Sequence, residues 1–376
     1  MEKRYKFRIY PTERQTEQIQ QNFGCVRFVY NYFLNKRIEK YEAGEGIYSY
    51  YEACKDLTAL KKMDEYRWLR QADSHSLQNA LKNLNNAYAA FFRRVREKDG
   101  APGFPRFKSK KATRQSYTTQ AQTGRRVIDV LDKAVLLPKL GWVKCSVSRK
   151  VEGRILSASV LQVPSGKYFV SICCTDFEPE QFPQTGASVG LHFGIRTLAT
   201  TSEGVIIENY RHLEKAQKKI SRLRRRLSRK TKDSHNREKA RIKLARAHEK
   251  VSNQKTDIMQ KVTTQIVSDY DIICVRGEQL IKMVQQQPFA YYLSDASWGG
   301  FSRMLEYKSR WYGKHFVKIA ASYPSVQLCN VCGYKNSQLA KKRVHKWTCP
   351  NCGAMHERAK NAAVNTLAEG LRKLAS

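Results

Sequence analysis

Cys329-Asn330-Val331-Cys332 and Cys349-Pro350-Asn351-Cys352 are two Cys-x-x-Cys pairs with sixteen residues between them, and Gly333 and Gly353 follow them directly. Four thiolates at that spacing make a tetrahedral zinc site closed to water, each glycine permitting the tight turn of a knuckle. Disulfides and a redox dithiol are the competing chemistries. A reducing compartment disfavours the first, and two matching knuckles disfavour the second. Four sulfur ligands complete the coordination, so the zinc is expected to be structural and the nearby His345 and His356 to be surface or packing histidines. The remaining six cysteines, among them Cys25, Cys145 and the Cys173-Cys174 pair, read as core.

The second chemical signal is charge. The 376 residues carry 69 Lys and Arg against 33 Asp and Glu, a formal +36, which repels itself unless a polyanion neutralises it. Nucleic acid is the natural partner. No run approaches the ~18 apolar residues of a membrane span and no signal peptide is legible, so no membrane partner and a cytosolic location are expected. The forty residues from Arg211 hold seventeen Lys or Arg and four acids, too few to pair them as a solvated helix face would require. Lys218, Arg222, Arg225 and Arg229 are the candidate contacts there. Arg4, Lys6 and Arg8 alternate with apolar residues near the start, and Arg106 and Lys108 lie in a Pro-interrupted basic stretch with interleaved aromatics. All of these would meet phosphate or ribose, which positions without reading sequence. Gln78 and Asn79 could make bidentate contacts with adenine, or be ordinary exposed helix polarity.

The elements that must position these groups follow from periodicity. Residues 4–9 alternate as a strand. From Thr12, a capping box with Gln15 opens a helix whose apolar face is Ile19, Phe23, Val26, Tyr30, Phe33, Leu34, Ile38 and Tyr41. A second long helix follows Asp73, so about 12–97 forms a helical lobe inserted into a small β-barrel made of the first strand and strand-like runs at 126–131, 134–137, 155–163 and 167–174. Past 187 the order is three strands, two long basic helices, a strand at 272–275, a helix at 297–312, a strand at 316–320 and a last helix at 357–374, the order of an RNase H-like core.

Across nearly its whole length the sequence resembles the TnpB family, transposon-encoded RNA-guided nucleases related to type V CRISPR effectors. The resemblance rests on residues 5–12 (Tyr5 to Thr12), 24–31 (Gly24 to Asn31), Leu305-Glu306-Tyr307-Lys308 with Trp311-Tyr312-Gly313, the first knuckle through Tyr334, and Arg358-Ala359-Lys360-Asn361-Ala362-Ala363-Val364-Asn365. It implies a multidomain α+β fold: a β-barrel wedge domain (1–11 and 101–180), a helical recognition lobe (12–100), a RuvC-like α/β domain (187–322 and 355–376) and a four-cysteine zinc ribbon (323–354). It also implies a bound guide RNA and a double-stranded DNA target.

The departures matter most. A RuvC site holds two divalent metals ~4 Å apart on three carboxylates. The family's first-strand aspartate corresponds to His192, its glutamate to Arg276, and its last aspartate to Ala359. Imidazole, guanidinium and methyl groups cannot hold a magnesium pair, so no catalytic Mg2+ and no cleavage are expected. The chain then resembles nuclease-dead TnpB-like repressors, which occupy DNA by guide pairing and exclude RNA polymerase. Two rivals remain: hydrolysis on relocated acids (Glu278 with Asp271 or Glu203), and a guide-free zinc-ribbon DNA-binding protein or transposon remnant.

Overall fold

Strict alternation makes the first strand central to its sheet. In β1 (Lys3–Tyr10) the side chains of Tyr5, Phe7 and Ile9 are buried while Arg4, Lys6, Arg8 and Tyr10 are exposed. This computed structural model describes every residue except 98–101, 123, 195–196, 278–297 and 341–343. It divides into two units, Met1–Phe177 and Glu178–Ser376.

In the first unit β1 pairs antiparallel with β5 (Gly141–Ser146) and β7 (Tyr168–Thr175). With β2 (Gln115–Gln120), β3 (Asp129–Leu131), β4 (Ala134–Leu137) and β6 (Arg154–Gln162) they form one seven-stranded sheet, order β2-β6-β7-β1-β5-β4-β3. The expected barrel thus takes the form of a continuous sheet with β2 and β3 at its edges. The expected capping box opens α1 (Glu13–Glu42): Thr12 and Gln15 exchange side-chain to backbone hydrogen bonds. Ile19, Phe23, Val26, Tyr30, Phe33 and Leu34 are buried as expected, but Tyr41, in the last turn, is 82% exposed. Between α1 and α3 (Ser74–Glu97) lie α2 (Tyr50–Leu60), capped by a Ser49 and Glu52 box, and a 3-10 helix, Asp64–Gln71.

In the second unit β8 (Ser188–Phe193), β9 (Thr197–Thr201) and β10 (Ile206–Glu208) form an antiparallel meander, and β11 (Ile272–Arg276) and β12 (His315–Ile319) add parallel strands in the order β10-β9-β8-β11-β12. The helices α4 (His212–Ser228) and α5 (His235–Asp269) connect β10 to β11, and α6 (Trp298–Trp311) connects β11 to β12. The last helix, α7 (Arg358–Ala375), packs on β8, β11 and β12. Two glycines permit that contact: a Cβ on Gly190 would collide with the carbonyl of Ala363, and one on Gly370 with the sulfur of Cys274. This is the expected RNase H-like element order. Before α7, a small cluster of Leu339, Trp347, Cys329 and Cys349, with β13 (Lys346–Thr348) and β14 (Met355–Glu357), forms the ribbon.

Candidate functional site

Strand pleating decides which residues meet at the sheet. Along β8, Val189, Leu191 and Phe193 enter the core with Phe301 and Leu305 of α6 and Ile266 of α5, which turns Gly190 and His192 toward α7. On β11, Ile273 and Val275 enter the same core, so Cys274 and Arg276 also face α7. Gly190 lies opposite Cys274 and Leu191 opposite Val275, so one further step along these parallel strands sets His192 beside Arg276. Ala363 lies against Gly190, and one helical turn before it is Ala359. The three positions named from sequence therefore converge where β8 and β11 end and α7 begins.

Sequence reasoning missed a fourth member. The charges of Arg276 and of Arg358 both bear on His192, whose pKa is pushed down to about 4, by burial first and then by these two cations. Arg358 also donates to the carbonyl of Leu339 (2.9 Å). The corner thus presents a neutral imidazole, a methyl group and two guanidinium groups. The lowered pKa has a measurable consequence. Unfolded His192 takes up its proton near pH 6.5 and folded His192 only near pH 4, so its contribution to stability is complete above pH 6.5 and is lost as pH falls toward 4. Between pH 7 and pH 5 the loss is about 2 kcal/mol. His192→Gln is expected to remove that part of the slope in urea melts; an unchanged slope would contradict the burial of this imidazole.

Of the three acids weighed as alternative metal ligands, Asp271 and Glu203 are among the described residues. Asp271 lies at the opposite end of β11, roughly 16 Å along the strand from Arg276. It forms a buried ion pair with Lys314 and accepts hydrogen bonds from the backbone N–H groups of Thr185 (2.9 Å) and Gly186 (2.6 Å). The Lys314 ammonium, aided by those amides, holds its carboxyl down at about 2. Glu203 is exposed and accepts from the Tyr270 hydroxyl (2.9 Å). Glu278 lies outside the described residues.

In the ribbon, all four cysteine sulfurs lie within 4.8 Å of one another, with Cys329 to Cys352 at 3.7 Å and Cys332 to Cys349 at 3.6 Å. Zinc–sulfur bonds of about 2.3 Å in a tetrahedron give sulfur–sulfur edges of about 3.8 Å, whereas a disulfide needs about 2.05 Å. The donor set fits one structural metal. The two knuckles repeat each other: Gly333 N–H donates to Cys329 O and Gly353 N–H to Cys349 O, both at 2.9 Å, with both glycines at positive φ. His356 is buried against Trp347, 4.7 Å between rings, and its Nε2 lies 3.1 Å from the Cys329 sulfur, a packing histidine that can donate to a thiolate. Two buried asparagines of α7 hold the first knuckle: Asn361 accepts from Asn330 N–H (3.0 Å) and donates to Leu328 O (2.7 Å), and Asn365 donates to Ser325 O (2.9 Å) and Leu328 O (2.8 Å). These roles had no signal in the sequence beyond the residues' presence in a motif. Lys308 is similar: it is buried, donates to Gln260 O, Thr263 Oγ1 and Thr264 Oγ1, and so ties α6 to α5, with burial pushing its pKa down to about 8.

Of the residues expected on a nucleic-acid face, Arg4, Lys6, Arg8 and Arg106 are exposed. Lys218, Arg222, Arg225 and Arg229 are exposed too, and their spacing puts them on one side of α4, away from Ile220, the helix's buried residue. Lys108 is also exposed, yet it is held: its ammonium sits 4.0 Å from the Tyr30 ring centroid, and its backbone exchanges two hydrogen bonds with the Asn31 amide. Gln78 is exposed, but Asn79 needs correcting. Its amide nitrogen donates to Thr118 O (3.1 Å) and His75 O (2.9 Å), which uses both of its N–H groups to tie α3 to β2 and leaves no donor for an adenine. Among the described residues no helix is long and apolar enough to cross a membrane.

Comparison with known proteins converges with this geometry. Residues 171–284 match a family model described as "Probable transposase" for OrfB of IS605, and residues 298–366 match the Cas12f1-like TNB domain. Residues 1–46 match the family's helix-turn-helix domain, although here they fold as β1 and the single helix α1. A Streptomyces pristinaespiralis protein named for an inferred RNA-guided DNA endonuclease activity is 36% identical over 98% of this chain and 89% of its own length. The similarly named InsQ of Escherichia coli (strain K12) is 31% identical over 99% of this chain and 93% of its own length. The mini-RNA-guided endonuclease CRISPR-Cas phi3 shares the fold, with a TM-score of 0.53 at 9% identity, over 98% of this chain and 92% of that one. With the Streptomyces relative 36% identical and matched over 98% of this chain, the chain belongs to the TnpB/IS605 family.

Proposed function

We propose that this protein is an RNA-guided, sequence-specific DNA-binding protein without nuclease activity, a transcriptional repressor that forms an R-loop beside a short flanking motif. The observation that carries the reading is the convergence of His192, Arg276 and Ala359 at the ends of β8 and β11, with the Arg358 charge added to the same corner. A magnesium pair requires shared anionic oxygens. Imidazole, guanidinium and methyl groups supply none. The partners would be a guide RNA and a double-stranded DNA target; RNA guidance and DNA are what the relatives' names give for those proteins. Exchange of DNA duplex for RNA–DNA hybrid is nearly neutral, so backbone contacts must favour it, and the formal +36 provides for them. The held R-loop would exclude RNA polymerase. Gln78 is the candidate reader of the flanking motif, and the four cysteines would hold a structural zinc.

The test is a guide-matched duplex incubated with the protein–RNA complex in Mg2+, with both strands followed on a denaturing gel. Stable binding with intact strands is expected; a nicked product dependent on this protein would overturn the reading. The basic face of α4 makes a separate, quantitative expectation. Replacing Lys218, Arg222, Arg225 and Arg229 with alanine should reduce the slope of log K against log salt by about three, since each phosphate contact contributes about 0.7 to 0.9. An unchanged slope would remove α4 from the interface.

A further inference from the structure

On the outer side of α1, a cavity of about 560 Å³ opens beside the 3-10 helix. Phe28, Tyr32 and Trp68 line it: Phe28 lies 5.0 Å from Trp68 and 5.6 Å from Tyr32, ring centroid to ring centroid, with Tyr66 packed behind at 5.6 Å from Phe28. Trp68 keeps 37% of its surface exposed. At the rim Arg27 donates to the neutral Gln115 side chain (3.3 Å), and among the described residues no carboxylate forms an ion pair with it. The floor is Gly24, in the middle of a 30-residue helix. Glycine destabilises a helix interior relative to alanine. Nothing in the chain's own packing calls for it: its φ is not positive, and a Cβ there would meet no atom nearer than Nη2 of Arg27 at 3.9 Å. A residue that weakens its helix and touches nothing keeps a space clear. Flat aromatic walls, an uncompensated guanidinium and a volume typical of small-ligand sites define what fits that space.

We propose that this cavity receives one unstacked nucleobase of a bound nucleic acid strand, packed against Trp68, Phe28 and Tyr32, with the adjoining phosphate at Arg27. The assignment rests on the nucleic-acid-binding reading above. Bases stack on aromatic side chains with little sequence preference, so the pocket would hold a strand in place without reading it.

The probe is a pair of twelve-nucleotide single strands, one RNA and one DNA, carrying 5-iodouracil at alternate positions and photocrosslinked to the full chain. Adducts on the peptides bearing Phe28, Tyr32 or Trp68 are expected, and their relative yield on the two strands identifies which source fills the pocket. Gly24→Leu projects a branched side chain from the floor into the cavity and removes no contact. It should abolish those adducts and weaken binding about 5- to 150-fold, the range for one stacked base, with the salt slope lowered by no more than the single phosphate contact at Arg27 and the melting midpoint equal or higher. Trp68→Ala, at the exposed edge, should reduce the same adducts. Binding with adducts confined to α4 and α5, or a folded Gly24→Leu protein that crosslinks like the parent, would overturn the pocket and leave the functional reading standing. Failure of the parent protein to bind either strand would overturn the pocket, whereas the functional reading falls only if the guide-matched duplex is cut or left unbound.

Discussion

The triple variant His192→Asp, Arg276→Glu, Ala359→Asp is expected to bind two Mn2+ ions that the natural chain does not, and to nick or cut a guide-matched duplex that the natural chain leaves whole. The physical case is local. The strand register and the α7 contacts at Gly190 and Gly370 already bring the three positions together, so the substitutions change donor chemistry and leave the backbone arrangement in place. Three carboxylates replace one guanidinium, one neutral imidazole and one methyl group, a change of about four charge units at one corner, and charge at short range in a partly desolvated site is worth several kcal/mol per ion. Arg358 stays and will weaken the second ion, so Arg358→Ala in the same background should tighten it. Calorimetric titration with Mn2+ and a strand-resolved cleavage gel are the two measurements. A natural chain that binds the ion pair as tightly as the variant would defeat the donor-set argument, whatever the gels show.

How much of this was readable beforehand depended on how local the controlling physics is. β1 and α1 were legible because a strand of period two and a capped helix of period 3.6 write their buried faces directly into the sequence. The corner of His192, Arg276 and Ala359 was singled out by the family resemblance alone; apolar runs marked the strands but not which of their residues would meet. β2 was not legible, because Gln115–Gln120 has Tyr117 as its one apolar residue and becomes a strand through pairing with β6. Arg358 was overlooked for a related reason: which residue of a helix's first turn reaches a neighbouring strand depends on how the helix is rotated, and Gly190 and Gly370 set that rotation only in three dimensions. Asn79 shows the opposite error. Spacing marked it as helical and polar, but only the fold reveals that Thr118 and His75 take both of its donors.

Metal removal should be felt well beyond the knuckles. Apart from its cysteines the ribbon core holds Leu339 and Trp347, with Val344 packed against it, far too little apolar surface to fold alone, so metal binding must supply most of its folding free energy, on the order of 10 to 16 kcal/mol for a four-ligand zinc site. The ribbon backbone in turn satisfies Asn361 and Asn365, each buried in the N-terminal half of α7. When the knuckle unfolds, those amides lose their partners at about 1 to 3 kcal/mol each, and the turns of α7 that carry Arg358 and Ala359 loosen with them. One zinc per chain is therefore expected by elemental analysis. Cys332→Ser or a strong chelator should collapse hydrogen-exchange protection over 323–354 and the first two turns of α7, and leave Met1–Phe177 unaffected. Protection in α7 that survives loss of the metal would mean that Asn361 and Asn365 do not couple the ribbon to the helix.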